Sequence, residues 1–390
     1  MPPTNPALAA RRANAMFRLS ARAAAHPGAT RLELGEPGFP TPDHILLAAL
    51  RSIATERQGY GPTNGPEWLR TLVAERTARV TRHTITPDQV VITAGGTGAL
   101  LASLIALCAA GDAVLVPDPG WPGYDGILAA AGAVARPYPL DPANGWQPDV
   151  ARMAALVTPR TRVLLLNSPS NPGGAVFSAA TVAALVDFAA RHDLWVLSDE
   201  CYDEIVFAGQ HVSPASLDPA RVITVGTCSK SYAMTGWRVG WATAPVALAP
   251  TLAIVAAAAV NNLPLLALRA AEAALAGPQG CVAEMRSGYQ ARRDLALRLL
   301  RAAGADPYTP AGAFYLLVDV AALGDLRAGA AFDSLAFAEA LLTARGVAVA
   351  PGVAFGATIP GHVRISLASA PDALEAGLRA VISFARSWPE

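Results

Sequence analysis

Lysine is almost missing from this chain: 390 residues hold 29 arginines and a single lysine, Lys230. A coding bias toward Arg, Ala, Gly and Pro accounts for the arginines. Lys230 is either a leftover of that bias or a position that needs an amine able to lose its proton, which a guanidinium cannot supply. Composition alone does not choose. Net charge is missing too, with 30 basic against 30 acidic residues. That balance argues against a nucleic-acid partner, which calls for a basic excess or stripe, and against a polybasic membrane anchor. Charged residues make up 15% and apolar residues 53%, which argues against disorder and permits a large core.

Cysteines are few. Cys108, Cys201, Cys228 and Cys281 include no Cys-x-x-Cys and read as reduced thiols. The six histidines form no His-x-x-x-His and no Cys/His cluster, so a zinc site has little support. No apolar run reaches the ~20 residues of a membrane span. The nearest, Val246 to Val260, is shorter, contains Pro250 and reads as a buried helix. Residues 1–32 carry five arginines and no acid, loosely like a transit peptide, but the Ala/Arg bias gives the same look. No apolar h-region marks a secretory signal, so the expected setting is cytoplasmic.

Strand and helix signals alternate through most of the length. Strands are expected at Gln89–Thr93, Ala113–Val116, Arg162–Leu166, Leu194–Ser198, Arg221–Val225 and Val239–Ala242, with helical stretches after Gly98, over Trp121–Ala131 and over Thr181–His192. Unbroken aliphatics such as those of Arg162–Leu166 suit strands buried on both faces. The alternation predicts an α/β fold with a mostly parallel sheet covered by helices. Past residue 278 the texture changes. A long helix over Cys281–Ala303 is followed by strand signals at Phe314–Asp319, Val347–Ala350 and His362–Leu367, with helices at 333–345 and 371–386. This reads as a smaller α+β domain, against which an N-terminal helix Pro6–Ala25 and the turn-rich Gly35–Pro42 can pack.

Polar clusters follow several strands. Gly95-Gly96-Thr97-Gly98 lies between a strand and a helix, where free backbone N–H groups face an anion. A dinucleotide fingerprint is the tempting reading, with Asp118 placed 20 residues on, but its third glycine would fall at Leu101. Asn167-Ser168-Pro169-Ser170-Asn171-Pro172-Gly173-Gly174 and Ser198-Asp199-Glu200-Cys201-Tyr202 each follow a strand, where α/β proteins build ligand sites. The rival readings are a stiffened loop and a solvated turn. Thr227-Cys228-Ser229-Lys230-Ser231, with Arg238 eight residues beyond the lysine, suits a phosphate pocket holding a nucleophilic amine. Burial or a neighbouring cation is what makes such an amine useful.

In this order the motifs resemble the class I/II aminotransferases among the fold-type-I pyridoxal-phosphate enzymes, the aspartate aminotransferase superfamily. The resemblance runs from Leu34 to Leu367 and rests on Asn171-Pro172-Gly173, Asp199-Glu200-x-Tyr202, Ser229-Lys230 and Arg238-Val239-Gly240. It implies a large domain with a sheet of the seven-stranded type sandwiched by helices, and a smaller α+β domain from both chain ends. The boundaries read as 1–44 for an N-terminal arm and part of the small domain, 45–280 for the large cofactor-binding domain, and 281–390 for the small C-terminal domain.

The resemblance also assigns roles. Lys230 is the implied Schiff-base lysine for pyridoxal 5'-phosphate and the shuttle for the substrate Cα proton. Asp199 is the implied partner of the pyridine nitrogen, with Tyr202 and Asn171 at the ring hydroxyl and Trp121 stacked on the ring. Gly95, Gly96, Thr97, Thr227, Ser229 and Arg238 resemble the phosphate cup. Gly35 and Arg364 resemble the groups that meet the substrate carboxylate, Arg364 bidentately, with Trp121 and Asn171 beside it. Tyr60 resembles the tyrosine that reaches the phosphate of a neighbouring subunit, which implies a homodimer with shared sites. The implied reaction is ping-pong transfer from an α-amino acid to a 2-oxo acid, with no metal. A β-lyase, decarboxylase or synthase on the same scaffold is the near rival, and a dinucleotide-dependent oxidoreductase the distant one. Thr227 stands where serine is common, and Asn261-Asn262-Leu263-Pro264 departs from the family's usual sequence.

Overall fold

The computed structural model describes residues 14–324 and 332–388. The expected helix Pro6–Ala25 therefore lies partly outside the described residues, and what is described is α1 (Ala15–Ala24). The other helices of eight residues or more are α2 (Asp43–Thr55), α3 (Glu67–Thr81), α4 (Gly95–Leu107), α5 (Gly123–Ala130), α6 (Ala179–Arg191), α7 (Ala249–Ala259), α8 (Leu265–Ala276), α9 (Gly280–Ala302), α10 (Ser334–Arg345) and α11 (Pro371–Arg386). The strands are β1 (Thr30–Arg31), β2 (Val90–Ala94), β3 (Ala113–Asp118), β4 (Val134–Asp141), β5 (Gln147–Pro148), β6 (Thr161–Asn167), β7 (Trp195–Asp199), β8 (Val222–Thr227), β9 (Val239–Thr243), β10 (Tyr315–Asp319), β11 (Val347–Ala348), β12 (Ala350–Pro351) and β13 (His362–Ser366).

Eight strands form the main sheet in the order β2-β9-β8-β7-β6-β3-β4-β5. The centre, from β8 through β4, is parallel, while β9 runs antiparallel to both β2 and β8. The seven-stranded expectation is thus exceeded by one, because two-residue β5 adds an antiparallel edge to β4. The aliphatic runs of β3, β6, β7 and β8 are buried on both faces. One face packs on α4, α5 and α7, and the other on α6 and the residues around Phe177.

Strand β4 escaped the sequence reading because Pro137 and Pro139 break its hydrogen-bonding pattern. Such residues are tolerated where one side of a strand is left unpaired, and β5 covers only Leu140 and Asp141 of β4. Val347–Ala350, expected as one strand, divides at Val349. Its first half pairs in parallel with β1, and its second half pairs with β13 in a three-stranded sheet with β10. The apolar window Val246–Val260 does form a helix, α7, but not a buried one: Ile254 is 71% exposed. Alanine makes up much of this helix, and only Ala249 and Leu252 in it are buried.

β10, β11 and β13, with α1, α9, α10 and α11, enclose a separate core around Phe314, Phe337 and Leu378. No described helix is long and apolar enough to cross a membrane.

Gly240 fixes how closely the main sheet approaches the first turn of α4. A Cβ there would lie 2.4 Å from the carbonyl carbon of Gly95 and 2.6 Å from the amide nitrogen of Gly96. Gly240→Ala is therefore expected to lower stability by about 1–3 kcal/mol, measured by urea unfolding with the cofactor removed. Wild-type stability in that variant would contradict the close packing.

Candidate active site

The direction of the strands gathers the candidate residues. β6, β7 and β8 run parallel, with Asn167 beside Asp199 and Asp199 beside Val225. Their carboxyl ends therefore share one rim. β2 ends at the same rim, because Ala94 pairs with Val239 at the start of antiparallel β9. A cavity of about 480 Å³ opens there. Its lining brings together Gly35, Gly96, Thr97, Trp121, Asn171, Asp199, Tyr202, Thr227, Ser229, Lys230, Arg238 and Arg364 from the sequence reading. Gly95 and Tyr60 are not in that lining. Gly95 supports the guanidinium of Arg238 from behind, and a Cβ at its φ of +72° would come within 2.6 Å of Nη2. Tyr60 is 92% exposed and borders a separate hollow with Arg57 and Asn262.

Asp199 is the buried end of β7, 5% exposed. Its Oδ2 accepts a hydrogen bond from the Tyr124 hydroxyl at 2.7 Å, and its Oδ1 one from the Cys201 amide at 3.3 Å. Burial pushes this carboxyl above its ordinary pKa, and the hydrogen bonds from Cys201 and Tyr124 pull it part of the way back. A carboxylate held in this way gains most from a cationic N–H partner. Burial also pushes the Cys201 thiol well up, so it stays protonated beside Asp199.

The three clusters are cross-linked. Asn167 Nδ2 donates to the Asp199 carbonyl at 3.1 Å, and Asn167 Oδ1 accepts from the Asn171 amide at 2.8 Å. Lys230 Nζ donates to the Gly35 carbonyl at 2.6 Å and sits 5.9 Å from the ring centres of Tyr202 and Phe314. The Thr227 and Ser229 hydroxyls are 2.8 Å apart. Beside them Arg238, at a left-handed φ of 58°, hangs its guanidinium on the carbonyls of Thr235 and Ala94. The glycines expected as a turn are in fact the first turn of α4. Its N-cap, Ala94, offers no side-chain bond, so helix N–H groups are left for an anion.

Arg364 comes from β13 and is 1% exposed. Nη1 donates to Asn171 Oδ1 at 2.9 Å and Nη2 to the Glu33 carbonyl, while Nε is buried without a partner. The rings of Tyr315 and Phe355 flank the guanidinium at 4.3 and 4.9 Å. Burial lowers its pKa, though not enough to deprotonate an arginine. A buried cation with an unused donor suits a carboxylate.

Several site residues were not read from the sequence. Tyr124 falls inside the helical stretch expected over Trp121–Ala131, with no motif to mark it. Tyr315 looked like a core strand residue, yet its hydroxyl lies 2.9 Å from that of Tyr202. Met16 and Phe17 on α1 line the cavity mouth. Each acts through a contact made in space, and only the aromatic hydroxyls carried any hint of polarity. Asp118, once a possible ribose ligand, instead accepts the Ala357 and Thr358 amides and the Thr358 hydroxyl.

A family model described as aminotransferase class I and II matches residues 28–381. The chain belongs to that family of pyridoxal-phosphate-dependent, fold-type-I enzymes. It is 38% identical over 353 residues to the arginine–pyruvate transaminase AruH of Pseudomonas aeruginosa, spanning 90% of this chain and 88% of that one. It is 37% identical to the aspartate/prephenate aminotransferase of Thermus thermophilus, over 89% of this chain and 88% of the relative. Among solved structures, the aspartate aminotransferase from Thermus thermophilus with maleate superposes with a TM-score of 0.91. It is 34% identical and covers 98% of this chain and 100% of its own. The aminotransferase from Rhizobium meliloti superposes equally well, at 0.91 and 32% identity, over 99% of each chain.

For an aminotransferase the Tyr124–Asp199 bond predicts a pH effect. Tyr124→Phe removes a donor to the ionised carboxyl, so the Asp199 pKa rises further. The acid limb of the kcat/KM profile should move to higher pH, with a loss of about 1.5–3 kcal/mol, roughly tenfold or more in rate. A profile that falls in amplitude without shifting would assign Tyr124 a packing role.

Proposed function

We propose that this aminotransferase holds pyridoxal phosphate in the rim cavity and moves an amino group from an α-amino acid to a 2-oxo acid. The observation that carries this reading is the convergence of one primary amine, one buried carboxylate and one buried guanidinium, Lys230, Asp199 and Arg364, on a single cavity. The donor set fits the cofactor. Hydroxyls, helix N–H groups and Arg238 suit a phosphate, and the absence of a Cβ at Gly95 lets the guanidinium of Arg238 sit against the first turn of α4. When bound, pyridoxal phosphate supplies a carbonyl that condenses with amines and a ring that takes up electrons.

The chain's own residues do the rest. Thr227, Ser229, Arg238 and the N–H groups of Gly96 and Thr97 hold the phosphate. Asp199 keeps the pyridine nitrogen protonated, with Tyr124 and Cys201 orienting its oxygens. Tyr202, Asn171 and Trp121, all in the cavity lining, would hold the ring. Arg364 would grip the α-carboxylate and so orient the substrate Cα–H bond for transfer of its proton. Lys230 Nζ takes the Cα proton and returns it.

The working unit is a homodimer in which Tyr60 of a second copy completes the phosphate site. The exposure of Tyr60, and of Leu47, Leu50 and Ile53 on the helix before it, supports this. The relatives are named for arginine with pyruvate and for aspartate with prephenate, so kinship leaves the donor's side chain open.

Two measurements test the reading. Borohydride reduction should fix the cofactor on the peptide containing Lys230. Lys230→Ala should lose the label and at least about a thousandfold in rate. Recovery of the label elsewhere would sink the mechanism. Tyr60→Ala and Lys230→Ala, each nearly inactive, should regain activity when unfolded and refolded together, because one mixed site is intact. Mixing without recovery would argue that each chain carries its whole site.

A further inference from the structure

Building on the aminotransferase reading of this cavity, we propose that its amino donor carries a neutral, apolar side chain and that an acidic side chain is selected against. The argument is an inventory of charge. Three basic residues are in the described lining: Lys230, Arg238 and Arg364. The proposed function uses all three, for the amine, the phosphate and the α-carboxylate. No cation is left there for a second carboxylate. Of the two acids in the lining, Asp199 is taken by the cofactor in that reading, and Glu36, whose Oε1 accepts the Thr235 hydroxyl at 2.9 Å, is left, so a distal carboxylate would meet like charge.

The lining also holds an apolar pair tied to the surroundings of the carboxylate anchor. Met16 and Phe17 line the mouth from the first turn of α1. Asn14 caps that turn and ties it to a distant loop: its Oδ1 accepts the Met16 amide at 2.9 Å, and its Nδ2 donates to the Ala354 carbonyl at 3.1 Å. The next residue, Phe355, is the ring that flanks Arg364. A donor gripped by Arg364 therefore has Met16 and Phe17 tied to the same loop. Met is the adaptable residue of apolar pockets, and Phe17, 50% exposed, keeps apolar surface available for contact. Buried against this wall, an unpaired carboxylate would be heavily penalised, whereas leucine, methionine or phenylalanine would gain by burial.

The experiment uses the holoenzyme and follows the cofactor's visible absorbance on mixing with single amino acids and no acceptor. The kcat/KM of the half-reaction for leucine, methionine or phenylalanine should exceed that for aspartate and glutamate by about 100-fold or more. In spectral titrations, 4-methylpentanoate should bind as an unreactive ligand more tightly than succinate. Phe17→Arg, which supplies the missing cation on an exposed side chain, should raise kcat/KM for aspartate about tenfold. Aspartate, glutamate or arginine giving the largest kcat/KM would overturn the inference; an acidic preference would mean that a cation, such as Arg57 of a second copy, enters the pocket. An unchanged aspartate rate in Phe17→Arg would remove Phe17 from the side-chain wall. If no amino acid altered the spectrum, the aminotransferase reading itself would fall, an outcome distinct from a preference for the wrong side chain.

Discussion

A guanidinium with 1% exposure stands where three stretches of chain meet, and the site depends on its satisfaction. Arg364 belongs to β13, donates to the backbone of Glu33 near the N-terminal segment, and donates to Asn171 on the loop after β6. A buried cation is costly unless its donors are used. The fold meets that demand by drawing the two ends of the chain and the centre of the main sheet to one point. Stacking between Tyr315 and Phe355 completes its surroundings. Its Nε, buried as well, finds no partner within the chain.

Asp199 shows the same economy with the opposite sign. Burial raises its pKa, and Tyr124 and Cys201 offset part of the rise. Its backbone carbonyl in turn holds Asn167, whose side chain sets the amide of Asn171. The anionic and cationic ends of the site are thus joined through two asparagines and are not independent. A change at either end propagates through short, buried hydrogen bonds, the case in which coupling exceeds pairwise sums.

Much of this was legible from the sequence. Central strands declared themselves by unbroken aliphatics, and site residues by polar clusters directly after those strands. Lys230 stood out because nothing else in the chain is a lysine. What escaped notice depends on contacts that periodicity does not encode. β4 was hidden by its prolines, and Val347–Ala350 serves two sheets instead of one. Tyr124, Tyr315, Met16 and Phe17 are distant in sequence from the motifs they touch. The exposure of α7 was misread because alanine is apolar without identifying which face is buried.

The prolines of β4 have a consequence beyond register. Across Val134–Pro139 this strand has β3 on one side and no strand on the other, since β5 begins its pairing only at Leu140. An unpaired row of amides is a template on which a foreign strand can grow. At Pro137 and Pro139 the template has no N–H to offer. The same residues that obscured the strand thus guard the sheet's flank against aggregation while the chain is folding and most of its apolar surface is still unburied.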